Sequence, residues 1–255
     1  MLNIVVPMAG RGQRFVDSGY SLPKPLIPVH GVPMVEMVIA NLRPSRAHRF
    51  HFLIQREHGE SYDLAAKLAD WAPGCTVTML DGMTEGAACT VLLARDFIDT
   101  DEPLMIANCD QYIDSDIDTY LDALGDADGL IMTMWADDPK WSFVRRDASG
   151  RVTQVVEKEV VSNEATVGIY NFARGGDFVR AADGMIAAGK RVNGEFYVAP
   201  AYDMLIGEGA QIACFEIGSV GAGMHGVGTP RDLEDFLLTD VSRRAVAGLA
   251  PGTAA

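Results

Sequence analysis

Apolar positions in the first half of the chain switch between two rhythms. Residues 2–7 are rich in β-branched side chains, with Leu2, Ile4, Val5 and Val6 apolar, which predicts a short buried strand. Met34, Val35, Val38, Ile39 and Leu42 then recur at helical spacing behind Pro33, so a helix is expected over residues 33–42. The exchange repeats with a strand at 50–54 and a helix at 61–71 that sets Leu64, Leu68 and Trp71 on one side. A strand at 76–80, a helix at 87–97 and a strand at 104–107 complete the series. Strands alternating with helices imply a parallel sheet flanked by helices.

The second half reads differently. Strands at 142–146 and 151–156 flank Asp147-Ala148-Ser149-Gly150, a hairpin signal. A strand at 165–172, a helix at 176–188 and a late strand at 211–217 follow. Thr229-Pro230-Arg231-Asp232 opens a last helix with a cap residue and a first-turn proline. No repeat and no low-complexity linker divides the chain. The expectation is one α/β domain over residues 1–245, with halves at about 1–135 and 136–245. The Ala/Gly/Pro-rich residues 246–255 are expected to be a flexible tail.

A hydrophobic content of 48% and a charged content of 22% describe an ordinary globular chain. The net charge of −14 argues against a nucleic-acid surface, which needs a basic face. Cys75, Cys89, Cys109 and Cys214 have neither metal nor redox spacing and are read as reduced core residues, which points to a cytoplasmic setting. No basic leader precedes the first strand and no apolar run is long enough to span a bilayer, so neither secretion nor membrane insertion is expected.

The chemistry concentrates after the first strand. Gly10 and Gly12 let the backbone turn sharply and gather N–H groups around an anion, the usual place for a phosphate in an open α/β sheet. The loop ends Gln13-Arg14-Phe15, which excludes the Gly-Lys-Ser/Thr ending of P-loop NTPases, and Phe15 stands where the dinucleotide fingerprint needs a small residue. A lone Gly-x-Gly would read as a plain turn. Arg14 together with Pro23-Lys24-Pro25 places two cations beside the loop and points to chemistry on a phosphate.

The runs Gly10-Arg11-Gly12-Gln13-Arg14-Phe15, Pro23-Lys24-Pro25-Leu26-Ile27-Pro28 and Gly31-Val32-Pro33-Met34 resemble the signature of the sugar-phosphate nucleotidylyltransferases, and weaker matches continue to about Leu238. The resemblance implies a Rossmann-like mixed, mostly parallel sheet, with nucleotide at the first half and an acceptor-binding lobe in the second. It implies catalytic roles for Arg14 and Lys24 and nucleotide contacts at Ala9, Gly10, Arg11 and Gly12. Asp81, Glu85, Gly86 and Ala87 resemble the base-binding segment. No left-handed β-helix repeats follow, so a second, acyltransferase domain is not expected.

Asp110 ends the strand at 104–107, where a carboxylate faces the ligand crevice, and Mg²⁺ takes one or two carboxylates plus phosphate oxygens. Asp110 therefore fits a Mg²⁺ ligand, as the resemblance also implies; a turn-capping Asp is the other reading. Relatives supply a second carboxylate where Gly226 stands here, leaving Asp203, Glu195, water or phosphate to complete the shell. Glu157-Lys158 resembles the family's Glu-Lys-Pro run, with Glu on the sugar and Lys on the acceptor phosphate, but Glu159 replaces the proline. Gly168-Ile169-Tyr170 and Gly194-Glu195-Phe196-Tyr197 resemble acceptor-lining segments, so Gly168 and Glu195 join Glu157 and Lys158 as acceptor-binding candidates. His48, His51 and His58, near a strand expected at the surface, are read as solvated or structural.

The partners expected are a nucleoside triphosphate and a phosphorylated small molecule. Asp81 only accepts hydrogen bonds, which suits a pyrimidine: the cytosine amino group, or a uracil N–H. A sugar 1-phosphate is the expected acceptor, with a non-sugar phosphate or phosphonate as an alternative. A glycosyltransferase on a related sheet would want an Asp-x-Asp where Asn108-Cys109-Asp110 stands. A non-catalytic nucleotide sensor would not need Arg14, Lys24 and Asp110 together.

Overall fold

The computed structural model describes residues 1–249. The first half contains β1 (Leu2–Pro7), α1 (Gln13–Asp17), a 3₁₀ turn (Lys24–Leu26), β2 (Pro28–Val29), β3 (Val32–Pro33), α2 (Met34–Leu42), β4 (His48–Gln55), α3 (Arg56–Ser61) and α4 (Leu64–Trp71). It continues with β5 (Thr76–Leu80), α5 (Ala87–Leu92), α6 (Arg95–Ile98), β6 (Leu104–Ala107), β7 (Gln111–Ile113), α7 (Ile117–Asp122) and β8 (Gly129–Trp135). The second half adds β9 (Ser142–Arg146), β10 (Val152–Glu157), β11 (Glu164–Phe172), α8 (Gly175–Ala187), α9 (Ala201–Gly207), β12 (Ile212–Val220), β13 (Gly223–Gly226), α10 (Pro230–Leu237) and α11 (Asp240–Ala245).

Eleven strands form one sheet in the order β5-β4-β1-β6-β11-β8-β12-β13-β7, with β9 joining β11 and β10 pairing β9. Along that path only β11 and β7 run against the rest, so the sheet is mixed and mostly parallel. Alternation along β1 explains the two layers. Ile4 and Val6 point into a core shared with α2, α4 and α10, while Val5 points into the core beneath α5, α8 and α9.

Three expectations need correction. The helix expected at 61–71 starts only at Leu64, as α4, because Asp63 has φ +53° and separates it from α3, a helix over residues 56–61 that the pattern did not predict. The helix at 87–97 is two short helices. The strand bearing His48 and His51 is internal, between β1 and β5; His51 is buried, bonded at 3.0 Å to Asn3 and 2.7 Å to Thr76. Of the tail, residues 246–249 begin with a turn closed by Leu249 N–H to the Val246 carbonyl, and 250–255 lie outside the described residues. No helix among the described residues is long and apolar enough to cross a membrane.

Candidate active site

β1, β4 and β6 are parallel neighbours, so the loops that leave their carboxyl ends lie together at one edge of the sheet. Gly12 caps α1 with φ +62°, and a Cβ there would come within 3.0 Å of the Lys24 Cβ. The glycine loop therefore rests on the lysine stem. Lys24 itself starts the 3₁₀ turn, closed by Leu26 N–H to the Pro23 carbonyl at 2.8 Å, and buried Pro25 and Leu26 pin that turn to the core. Its ammonium donates to the Asp110 carboxylate. Burial opposes the lysine's charge, but Asp110 more than offsets it, so Lys24 is raised above its ordinary value. Arg14 is exposed on α1, close enough for its charge to work against that of Lys24. Cys109 is buried beside the pair, and its thiol is pushed up to about 11 by burial.

Asp110 is held from behind by Val227 N–H, which donates to its carbonyl at 2.9 Å. A Cβ on Gly228 would lie 2.6 Å from the carboxylate, so glycine there is what lets Asp110 face Lys24. This requirement went unnoticed in the sequence, because Gly228 is remote along the chain. No group of three or more His, Cys, Asp or Glu side chains is assembled for a metal among the described residues. Asp203 accepts instead from Val155 N–H at 2.7 Å, and Glu195 accepts from Tyr197. The donor set at Asp110 is a single part-exposed carboxylate, which fits Mg²⁺ bound chiefly through substrate phosphates and water.

Gln55, at the end of β4, ties the two nucleotide-side loops together: its side-chain N–H donates to the Ala9 carbonyl and, at 3.2 Å, to that of Gly82. Its place at a parallel strand's carboxyl end was the available signal. Arg11, Gln13, Tyr20, Gln55, Arg56 and Asp81 line a cleft of about 700 Å³. Asp81 is exposed and paired with Arg56, whose hydrogen bond and charge hold the carboxyl below the usual range.

Glu85 and Gly86 are turned toward the acceptor half. The Glu85 carboxylate pairs with Arg191, whose guanidinium lies 4.1 Å over the Phe196 ring. Phe196 N–H donates to the Glu85 carbonyl at 2.8 Å, and Ala88 N–H, just past Ala87, to the Phe196 carbonyl at 3.0 Å. A Cβ on Gly86 (φ +132°) would lie 2.4 Å from that carbonyl oxygen. The close approach that Gly86 permits here is to the Phe196 backbone. Gly10 lies in the exposed part of the loop, and no such crowding surrounds it.

In the acceptor half, Glu157 ends β10, buried, and accepts from the Ser142 hydroxyl of β9. Burial raises its carboxyl, with Ser142 and Lys158 pulling the other way. Lys158 has φ +58°; its N–H donates to the Trp141 carbonyl at 3.0 Å, and its ammonium donates to the Tyr197 hydroxyl. That hydroxyl in turn donates to Glu195. A proline at 159 would push residue 158 toward extended backbone, so Glu159 is compatible with a turn that the Glu-Lys-Pro pattern disfavours. Gly168 lies on β11 at φ +81°, against the Asn108 side chain.

Residues 4–193 match the nucleotidyl transferase family, and the chain belongs to it. Among curated relatives, bifunctional protein GlmU of Burkholderia multivorans is 31% identical over 161 residues, which is 62% of this chain and 34% of that protein. The matched stretch thus spans about a third of the length of such relatives. Among solved structures, the nucleoside-diphosphate-sugar pyrophosphorylase of Vibrio cholerae RC9 superposes with a TM-score of 0.77 at 25% identity, covering 92% of this chain and 100% of that one. The inositol-1-phosphate CTP transferase of T. maritima shares the fold, with a TM-score of 0.75 at 14% identity over 97% of each chain.

Proposed function

We propose that this protein transfers a nucleoside monophosphate from a nucleoside triphosphate to a phosphorylated small molecule, releasing pyrophosphate. The observation that carries the reading is the Lys24–Asp110 pair set against the glycine loop at the carboxyl ends of β1 and β6. A cation and a carboxylate held together beside a glycine-rich loop suit in-line attack on the α-phosphorus, a reaction driven by positioning and charge neutralisation. Lys24 neutralises charge gathering on the α-phosphate, and Arg14 holds the β- and γ-phosphates that leave as pyrophosphate. Ala9, Gly10, Arg11 and Gly12 cradle the nucleotide, with Asp81, Glu85, Gly86 and Ala87 around the base. Lys158 holds the attacking phosphate of the acceptor, with Glu157, Gly168 and Glu195 beside it. Mg²⁺ held by Asp110 and substrate phosphates supplies additional charge neutralisation when bound.

The base is a pyrimidine, with CTP ahead of UTP or dTTP, and the acceptor is a sugar 1-phosphate. Ionised Asp81 offers only hydrogen-bond acceptors, which match the cytosine amino group. The acceptor class is supported by the likeness to the Vibrio cholerae pyrophosphorylase. Four free cysteines support a reducing, cytoplasmic setting. The test is pyrophosphate release from each nucleoside triphosphate against a panel of sugar and non-sugar phosphates. Preference for ATP or GTP would overturn the base, and turnover with non-sugar phosphates alone would overturn the sugar. No release with any pair would overturn nucleotidyl transfer.

A further inference from the structure

Residues 191–197, between α8 and α9, form a hairpin that joins neither sheet. Val192 and Glu195 exchange N–H to carbonyl bonds, each 3.0 Å long, and the two residues between them, Asn193 and Gly194, have φ of +50° and +84°. Asn-Gly with both φ values positive marks the two-residue turn that hairpins favour. A lone hairpin of this size is marginal in water, so its shape depends on what anchors it.

Its anchors are two loops that the reaction needs. On the nucleotide side, Arg191 pairs with the Glu85 carboxylate, donates to the Gly194 carbonyl at 3.1 Å and lies over the Phe196 ring. Phe196 is 1% exposed and packs with Ala88 and Met185. Its backbone bonds to both Glu85 and Ala88, in the close approach that Gly86 permits. On the acceptor side the next residue, Tyr197, accepts from the Lys158 ammonium and donates to Glu195 in the hairpin itself. One short segment thus joins the base loop to the lysine that the transfer reading gives to the acceptor phosphate.

We propose that Arg191 and Glu85 are positioning residues for the acceptor: they set the hairpin so that Tyr197 holds the Lys158 ammonium where the attacking phosphate arrives. This rests on the nucleotidyl-transfer reading above. The Glu85 carboxylate, though it lies in the segment that resembles a base site, then serves the other substrate. Exposed ion pairs contribute little to stability, and these two side chains are 41% and 64% exposed, so what the pair contributes is placement. Arginine suits the task because its planar group stacks on a ring while its fork donates to a carboxylate and a carbonyl. Lysine at 158 needs such a stop, since its ammonium rides on a flexible four-carbon stem.

The test varies each substrate in turn, with whichever acceptor supports pyrophosphate release, on Arg191→Ala, Glu85→Ala and the double variant. Arg191→Ala is measured again in a Lys158→Ala background. Each single variant should raise the acceptor KM by about threefold to tenfold, the scale of one lost hydrogen bond, with the nucleotide KM within about twofold of wild type. The double variant should match the singles, because either change breaks the same link. Once Lys158 is alanine, Arg191→Ala should add nothing. Melting temperatures should stay within about 3 °C of wild type. Should Arg191→Ala fail to fold, Glu85→Ala carries the same test, and unfolding of both would show a strut for the fold and overturn the proposal. An unchanged acceptor KM would overturn it too. So would a nucleotide KM that rises as far as the acceptor KM, additive effects in the double variant, or a further acceptor defect in the Lys158→Ala background. Absence of release with every acceptor would defeat the transfer reading itself, a result distinct from any of these.

Discussion

Lys24 and Asp110, 86 residues apart, form an ion pair in which the lysine is more protected from solvent than the carboxylate. Desolvation disfavours the lysine's charge, and the pair overrides it, so the cation is fixed in place before any phosphate arrives. Lys24→Ala should therefore lower turnover by about a hundredfold to a thousandfold, the usual effect of removing one preorganised charge. Pyrophosphate release measures it, and circular dichroism with a thermal melt shows that the fold survives. Near-wild-type turnover in a folded variant would remove Lys24 from the mechanism.

Asp110→Asn should abolish metal-dependent turnover, because a neutral amide is a poor Mg²⁺ ligand. Gly226 offers no second carboxylate across the β7–β13 ladder to compensate. Chelation with EDTA should silence the wild type, and Mg²⁺ should restore it. A Mg²⁺ titration of the variant that matches wild type would place the metal elsewhere.

The strands at residues 76–80 and 104–107 were legible to the residue, because turn-forming residues bracket short apolar runs. β8 was not: it is buried on both faces for most of its length, so Gly129–Trp135 has no alternation to read. α9 escaped for a different reason, being a short helix inside a run of Ala, Pro and Tyr with no clear period. At the site, the glycine loop, Lys24 and Asp110 were legible because each carries a local pattern. Gln55, Gly228, Arg191 and Ser142 were not. Each matters through a partner in another element, such as Arg191 with Glu85, 106 residues distant, and of the four only Gln55, at a parallel strand's carboxyl end, carries a local signal.

His51 makes stability depend on pH. Burial, with help from Arg49, lowers its pKa from 6.5 to about 4, so the folded protein keeps the ring neutral where the unfolded chain would protonate it. The folded pKa is the lower one, so its contribution is complete above about 6.5 and is lost as pH falls toward about 4. The loss is on the order of 3 kcal/mol over that window. Urea unfolding at several pH values should show it, and His51→Gln should flatten the slope between pH 6.5 and 4. An unchanged slope in the variant would assign the acid sensitivity to other groups.

Lys158 ties the acceptor lobe's chemistry to its backbone. Its φ of +58° aims the ammonium at Tyr197, 4.3 Å from the ring centre, and Tyr197 connects to Glu195. Lys158→Ala should raise the acceptor KM by at least about tenfold while the nucleotide KM moves little, because only one substrate loses a phosphate contact. Glu159→Pro leaves the lysine chemically intact but drives residue 158 toward extended backbone. If the left-handed turn is what places the ammonium, this variant should reproduce the acceptor defect of Lys158→Ala. Glu159→Ala, which frees no new backbone preference, should stay near wild type. Steady-state kinetics with each substrate varied in turn decides the matter. A Glu159→Pro protein with normal acceptor KM would show that Lys158 reaches its phosphate from either backbone shape, and a matching defect in Glu159→Ala would shift the role to the carboxylate of Glu159.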